Sequence, residues 1–326
     1  MQDIKTLVSG IKPTGDLHIG NYFGAIKPMV DFAQTIPECF IFVADLHALT
    51  SVQNKKELSE GIIQIAASYI ACGLDPNKIT LFKQSDVSAH TELAWIFDCI
   101  TTMPYLMRAH AYKDSEAKNK EINVGVFNYP MLMASDILLY DAEVVPVGTD
   151  QKQHVEYARD TALKFNRIFG DTFILPEAHI TEGVGTVPGL DGKKMSKSYK
   201  NVIPLFGSDE DIKKTTMSIV TDSKGADEAK VPETCNIFAL HKLVSTKEEL
   251  EHLEKQYREG KISYKESKEL LSSKLISYFS PMREKYNDLM SNREKVIEIL
   301  RNGGEKANKK AQGKMKKVRE LIGVHQ

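Results

Sequence analysis

The residues best suited to chemistry fall in two short segments far apart in the chain, Pro13-Thr14-Gly15-Asp16-Leu17-His18-Ile19-Gly20-Asn21 and Lys194-Met195-Ser196-Lys197-Ser198. In the first, Gly15 and Gly20 let a backbone approach a ligand closely, and His18 can donate to a phosphate oxygen. In the second, Lys194 and Lys197 carry positive charge on a donor-rich loop, with the Ser196 hydroxyl between them. A helix start favours phosphate through its unpaired N–H groups and its dipole. Each segment alone has a plainer explanation, a helix cap for the first and a solvated loop for the second. Together, in this order, they suit a nucleoside triphosphate that loses pyrophosphate, with positioning and cations lowering the barrier. That route needs no nucleophilic Ser or Cys, and the sequence shows no catalytic triad.

Strand-like and helix-like runs alternate around these segments. Leu7-Val8, Cys39 to Asp45, Ile79 to Phe82 and Val144 to Val147 read as buried strands. Tyr22 to Phe32, Lys55 to Gly73, Glu92 to Ile100, Met131 to Tyr140 and Gln151 to Phe169 read as helices. Such alternation predicts an α/β fold with a Rossmann-like parallel sheet, whose ligands sit at the carboxyl ends of the strands. Asp45, Ser85, Gly148 and the His18 turn would meet there. After Leu205 the strand-like runs stop and charged amphipathic helices follow, at Lys247 to Gly260, Ser263 to Phe279 and Glu294 to Leu300. Two domains are expected: residues 1–204, including the lysine loop, and an all-helical part over residues 205–326.

Composition is ordinary for a globular protein, with 42% hydrophobic and 27% charged residues among 326. No apolar run approaches the ~18 residues of a membrane span, and the first residues form no signal peptide, so a cytoplasmic location is expected. Cys39, Cys72, Cys99 and Cys235 are scattered without a C-x-x-C pair, which favours free thiols over a metal site. A net charge of −1 does not suit a chain that grips nucleic acid over its whole surface. The charge is unevenly spread, however. Eight Lys or Arg face one acid between Arg301 and Arg319, a basic terminal helix that could contact phosphate or could be a solvated face.

The two segments resemble the signatures of class I aminoacyl-tRNA synthetases, H-I-G-H and K-M-S-K-S, with Asn21 replacing the second histidine. That replacement, within P-[ST]-G-x-x-x-[IL]-G-N, is the habit of the tryptophanyl and tyrosyl branch. Similarity to its bacterial-type tryptophanyl members is dense from about Ser9 to Ser198 and looser beyond. The resemblance implies activation of L-tryptophan by ATP, with Mg2+ accompanying the nucleotide, and transfer of the tryptophanyl group to tRNA(Trp). It implies ATP contacts from Lys12, Pro13, Thr14, Gly20, Asn21, Gly148, Thr149, Asp150, Val187 and the loop Lys194, Met195, Ser196, Lys197 and Ser198. Catalytic contributions would come from His18, Lys194, Ser196 and Lys197. A homodimer is also implied, with an interface near residues 80–140, tRNA crossing both subunits, and the helical domain at the anticodon. Two positions depart from the pattern: Lys12 replaces a usual glutamine, and Ser115 stands where a further pyrophosphate-contacting lysine is common.

Choice of amino acid would lie with Tyr129, Met133, Asp136, His47 and Gln151, the last of these at the substrate ammonium by resemblance. Met133 and Asp136 are three apart and share a helix face. An indole N–H only donates and a buried carboxylate only accepts, so Trp would satisfy Asp136 and Phe would leave it unpaired. Such rejection reaches roughly 10⁴–10⁵-fold in favourable cases. Met133 would lay a polarizable thioether against the ring. Without the resemblance, Met133 reads as core and Asp136 as the partner of a lysine. Other identities predict different features. A tyrosyl enzyme would present a Tyr/Asp pair to a phenol. A small-molecule adenylate-forming ligase of the pantothenate synthetase kind would not need a basic helical appendage, and a non-catalytic RNA-binding paralogue would not need both ATP motifs.

Overall fold

Residues 4–13, 15–109, 112–113, 122–148, 151–180 and 186–324 are described in a computed structural model of the chain. Five short strands build one parallel sheet: β1 (Thr6–Ile11), β2 (Glu38–Val43), β3 (Thr80–Lys83), β4 (Val144–Val147) and β5 (Glu177–Ile180). Their spatial order is β3-β2-β1-β4-β5. Side-chain alternation explains the strands. Leu7, Cys39, Ile41, Val43, Leu81 and Val144 enter one buried cluster, while Val8, Phe40, Phe42, Phe82 and Val145 enter another. Both faces are therefore dry, as crossover helices demand, and the Rossmann-like expectation holds. β1 pairs with β2 on one side and β4 on the other, so the strand order reverses beside it. The crevice beyond that reversal is where such sheets take ligands.

The first crossover departs from the regular helix that its apolar spacing predicts. α1 (Ile19–Asn21) is a single turn, a π-helical turn follows over Tyr22–Ile26, and α2 (Lys27–Ala33) completes the run. Pro28 gives the physical reason. It has no N–H, and its ring would strike the carbonyl four residues back, so the helix widens ahead of it. Around the sheet lie α3 (Asp45–Ala48), α4 (Lys55–Ala71), α5 (Ala89–Ile100), α6 (Met103–Leu106), α7 (Val124–Leu138) and α8 (Lys152–Phe169).

Beyond Leu205 the expected helices appear: α9 (Asp209–Met217), α10 (Asn236–Val244), α11 (Lys247–Arg258), α12 (Tyr264–Ser291) and α13 (Arg293–Ile322). Ser208, Thr246 and Ser263 start α9, α11 and α12 with reciprocal capping boxes. α13 runs back along β3, the edge of the sheet. Gly303 permits that approach, since a Cβ there would lie 1.9 Å from the Leu81 carbonyl oxygen.

Half of the eight basic residues between Arg301 and Arg319 on this helix are tied to partners inside the fold. Lys310 pairs with Glu38 at 2.9 Å, Lys314 with Asp141 at 2.5 Å and Arg319 with Glu92 at 2.5 Å. Lys317 donates to the Asp171 carbonyl at 2.7 Å. Arg301, Lys306, Lys309 and Lys316 lie on the exposed face. All four cysteines are free thiols, and no helix among the described residues is long and apolar enough to cross a membrane.

Candidate active site

A cavity of about 710 Å³ opens at the carboxyl ends of β1 and β4. Gly10 to Lys12 form one side and Val145 to Gly148 the other, with Gly24 and Ala25 brought in by the π-helical turn. Tyr129, Met133 and Asp136 arrive from α7, and Gln151 and His154 from the start of α8. The fold thus gathers seven of the expected residues, Lys12, His47, Tyr129, Met133, Asp136, Gly148 and Gln151, around one space. Met133 and Asp136 do share a face of α7.

Asp136 is 1% exposed and already well bonded. Its Oδ1 accepts from Gln84 Nε2 at 2.7 Å and from His90 Nδ1 at 2.6 Å, and its Oδ2 from His47 Nε2 at 2.8 Å. Burial alone would raise its pKa, but the hydrogen bonds from His47 and His90 outweigh it and hold the carboxyl at about 2. An ionised Asp136 is therefore not left unpaired when no indole is present, which corrects the simple rejection argument. His47 is itself fixed from two sides. Its backbone N–H donates to Gln84 Oε1 at 3.3 Å. Two residues earlier, Asp45 accepts from the Ser85 backbone at 3.0 Å and the Ser85 hydroxyl at 2.5 Å, tying the end of β2 to that of β3.

A second polar chain continues along the wall. The Tyr129 hydroxyl bonds to His154 Nε2, and His154 Nδ1 meets Gln151 Oε1 at 2.7 Å. The His47 ring stands edge-on to Tyr129 at 5.9 Å. Lys12 is exposed at the mouth, where partial burial lowers its pKa from the usual lysine value.

The two signatures meet beside this cavity without lining it. Ile19 N–H donates to the Ile203 carbonyl at 3.0 Å, and Leu205 N–H to that of Leu17 at 3.0 Å. This short pairing brings the chain just after the lysine loop against the His18 turn. A Cβ on Gly15, whose φ is +52°, would lie 2.9 Å from Lys197 Nζ. His18 is also the N-cap of α1: its Nδ1 accepts from Asn21 N–H at 3.2 Å, while Asn21 Oδ1 accepts from His18 N–H at 3.1 Å. The cap uses Nδ1 and not Nε2, so it does not compete with the phosphate contact expected of this residue. Burial, reinforced by Lys197, lowers the His18 pKa to about 4, so the ring is neutral at pH 7 with its proton on Nε2.

The lysine loop hangs on two anchors. Met195 is 4% exposed and inserts into the core, with its N–H donating to the Val187 carbonyl at 2.9 Å. Asn201 accepts from Ser196 N–H at 2.8 Å and donates to Asp191 at 2.6 Å and to the Lys194 carbonyl at 3.2 Å. Lys194, Lys197 and Ser198 are exposed. Pro13 is buried outside the cavity lining, as is Val187. Thr14, Ser115, Thr149 and Asp150 lie outside the described residues. Gln84, His90, His154 and Asn201 are missed by the motif reading. Gln84 and His90 carry no motif signal, since their partner Asp136 lies 52 and 46 residues away in the chain.

Residues 3–280 match the family model for class I tRNA synthetases (W and Y). The chain is similar to the tryptophan–tRNA ligase of Campylobacter jejuni (strain RM1221), 47% identical over 318 residues that cover 98% of this chain and 99% of that protein. It is also similar to the tryptophan–tRNA ligase of Fusobacterium nucleatum subsp. nucleatum, 44% identical over 322 residues and 98% of each chain. A crystal structure of tryptophanyl-tRNA synthetase from Campylobacter jejuni, complexed with ADP and tryptophan, matches with a TM-score of 0.93. That match has 46% identity and covers 98% of this chain and 99% of the other. With both signatures and the cavity inside the matched span, the chain belongs to the class I tRNA synthetases of the W and Y group.

Proposed function

We propose that this enzyme is a tryptophan–tRNA ligase. The tryptophan carboxylate attacks the α-phosphorus of ATP, an O–P bond forms, and the bond to the β-phosphate breaks to release pyrophosphate. The 3′-terminal ribose hydroxyl of tRNA(Trp) then attacks the activated carbonyl and AMP leaves. The observation that carries the amino-acid assignment is Asp136, an ionised acceptor lining the cavity. With two bonds on Oδ1 and one on Oδ2, its remaining capacity is on Oδ2, where an indole N–H can donate. Met133 supplies the thioether beside the ring, and Gln151 with Tyr129 receives the substrate ammonium. On the helix face that carries Asp136 the pocket presents Met133, rather than the Tyr/Asp pair that a phenol would want.

ATP would lie across the β1–β4 reversal, with Gly148, Thr149 and Asp150 toward its ribose and Pro13, Thr14, Gly20, Asn21 and Val187 around the nucleotide. The neutral His18 donates through Nε2 to the phosphates. Lys194, Lys197 and Ser196 stabilise the leaving pyrophosphate, and Met195 and Ser198 seat the loop that carries them. Lys12, which lines the cavity, would meet a phosphate or the substrate carboxylate. No group of three His, Cys, Asp or Glu among the described residues could cage a metal ion, and the donors near the signatures are cationic. Mg2+ would be held by triphosphate oxygens and water, where it supplies charge to the phosphates.

Residues 1–204 would form the catalytic domain and 205–326 the helical, anticodon-binding domain. Exposed Trp95, Met103 and Val124, all within 80–140, support a homodimer through that face. A cytoplasmic location fits the free thiols. ATP–pyrophosphate exchange with Trp, Tyr and pantoate as separate substrates tests the assignment. Exchange with Trp alone supports it, exchange with Tyr alone overturns the specificity, and none with any favours the RNA-binding paralogue.

A further inference from the structure

We infer that His90 and Tyr140 form a buried relay that sets the protonation and aim of Asp136, and so act as positioning residues for the amino-acid pocket. The inference rests on the proposed contact between Asp136 and the indole. Neither residue lines the cavity, and both are 0% exposed. His90 stands at the start of α5, and Tyr140 lies just past the end of α7, four residues on from Asp136. His90 Nδ1 meets Asp136 Oδ1 at 2.6 Å, and His90 Nε2 meets the Tyr140 hydroxyl at 2.8 Å.

The surroundings are otherwise apolar. Phe40 stacks on Tyr140 at 4.6 Å, while Phe42 and Phe82 stand 5.8 Å and 6.2 Å from the His90 ring. The polar groups facing the relay are Asp136 and, bonded to it, Gln84 and His47. On the outer side of α5, Glu92 is taken by Arg319 of α13, and ahead of α5, Asp86 is taken by Lys83. Among the described residues, no second charge is paired with the imidazole.

Proton counting then selects one state. An ionised Asp136 only accepts, so His90 Nδ1 must carry a hydrogen. If Nε2 carried one as well, the Tyr140 oxygen would accept it, and the phenolic hydrogen would have no acceptor among the described residues. An unmet hydroxyl in an apolar shell is costly. With neutral His90, every polar atom is satisfied: Tyr140 O–H donates to Nε2, and Nδ1–H donates to Oδ1. Tyr140 therefore locks a tautomer and keeps a cation away from Asp136. The carboxylate charge stays whole, and Gln84 and His90 together fill Oδ1 so that Oδ2 is the atom left for substrate. Burial raises the Tyr140 pKa, which keeps its proton available to His90.

Removing the phenol should expose this lock. In Tyr140→Phe, Nε2 loses its donor and nothing holds the Nδ1–H tautomer, so the bond to Oδ1 is no longer fixed. The KM for Trp in pyrophosphate exchange should then rise about tenfold, with kcat much less affected. Adding His90→Asn, which keeps an N–H at the Nδ1 position and has no second tautomer, should bring the KM back toward that of the parent enzyme. A Tyr140→Phe KM equal to that of the parent enzyme would overturn the relay. Imidazole ¹⁵N shifts of the unmodified protein give a test that needs no variant. His90 should show a protonated Nδ1 and an unprotonated Nε2, and the reverse tautomer or imidazolium shifts at both nitrogens would refute it. Asp136→Asn separates the two levels: if it leaves the KM for Trp unchanged, the indole contact fails, while the ¹⁵N result still decides the relay.

Discussion

Asp136→Asn is the most informative single change to the pocket. The amide it introduces can keep its carbonyl toward Gln84 and His90, and its NH₂ can donate to His47 once that ring shifts its proton to Nδ1. The fold survives, but an N–H now opposes the indole N–H. Loss of a hydrogen bond to a charged acceptor costs about 1.5–3 kcal/mol, or roughly 10- to 150-fold in kcat/KM for Trp. Phenylalanine has no ring donor and should lose little, so the Trp/Phe ratio should narrow by that same factor. The figure stays well below the roughly 10⁴–10⁵ of a fully unpaired site for a structural reason. Three of roughly four acceptor positions on the carboxylate are already filled by Gln84, His90 and His47, so Phe strands only one. Pyrophosphate exchange with each amino acid, run beside a thermal melt, measures both halves. An unchanged ratio in a folded variant would remove Asp136 from the indole.

Lys197→Ala should lower the exchange rate by about 10²–10³ with a small change in the KM for Trp, since its charge acts on the leaving group; a KM effect alone would contradict that. Gly303→Ala should destabilise the protein by about 1–3 kcal/mol, because the new Cβ meets backbone rather than a movable side chain. Gly313→Ala, with nothing within 4 Å of its Cβ, should instead gain about 0.5–1 kcal/mol from helix propensity. Equal melting temperatures would refute the close contact. Stability should also fall as pH drops from 6.5 toward 4. His18 and His241 both have folded pKa values lowered to about 4, mainly by burial, so unfolding takes up their protons in that window. Asp98, raised by burial from 3.8 to about 6, works in the opposite sense and offsets part of the loss. Below pH 3.8 Asp136 adds a further loss. Melting temperatures and proton uptake across pH 4 to 7 would check the balance.

Four of the five strands are legible because they are buried on both faces and therefore read as apolar runs. β5 is hidden because Glu177–Ile180 is a half-exposed edge strand. The π-helical turn is equally invisible, since the apolar spacing of Tyr22 to Phe32 is helical and only Pro28 hints at the extra width. Within the site, residues carried by local motifs could be assigned from spacing. Gln84, His90 and Tyr140 could not, because each is placed by a partner 46 to 52 residues away in the chain. The basic helix shows the same limit more sharply. Its charges could be read as a phosphate-contacting surface or a solvated face, and neither reading foresees that Lys310 finds Glu38 at a separation of 272 residues and Arg319 finds Glu92 at 227.

The seat of Gly303 on Leu81 also has a consequence in time. β3 is made early in synthesis, but its outer edge has no cover until the last helix has been translated. Until then the nascent sheet offers an open row of peptide groups to any other extended chain. The slow part of maturation is therefore expected at the end of synthesis, when α13 closes the edge. Chains arrested short of residue 303 should aggregate or hold chaperones, although every residue of the cavity has already been made.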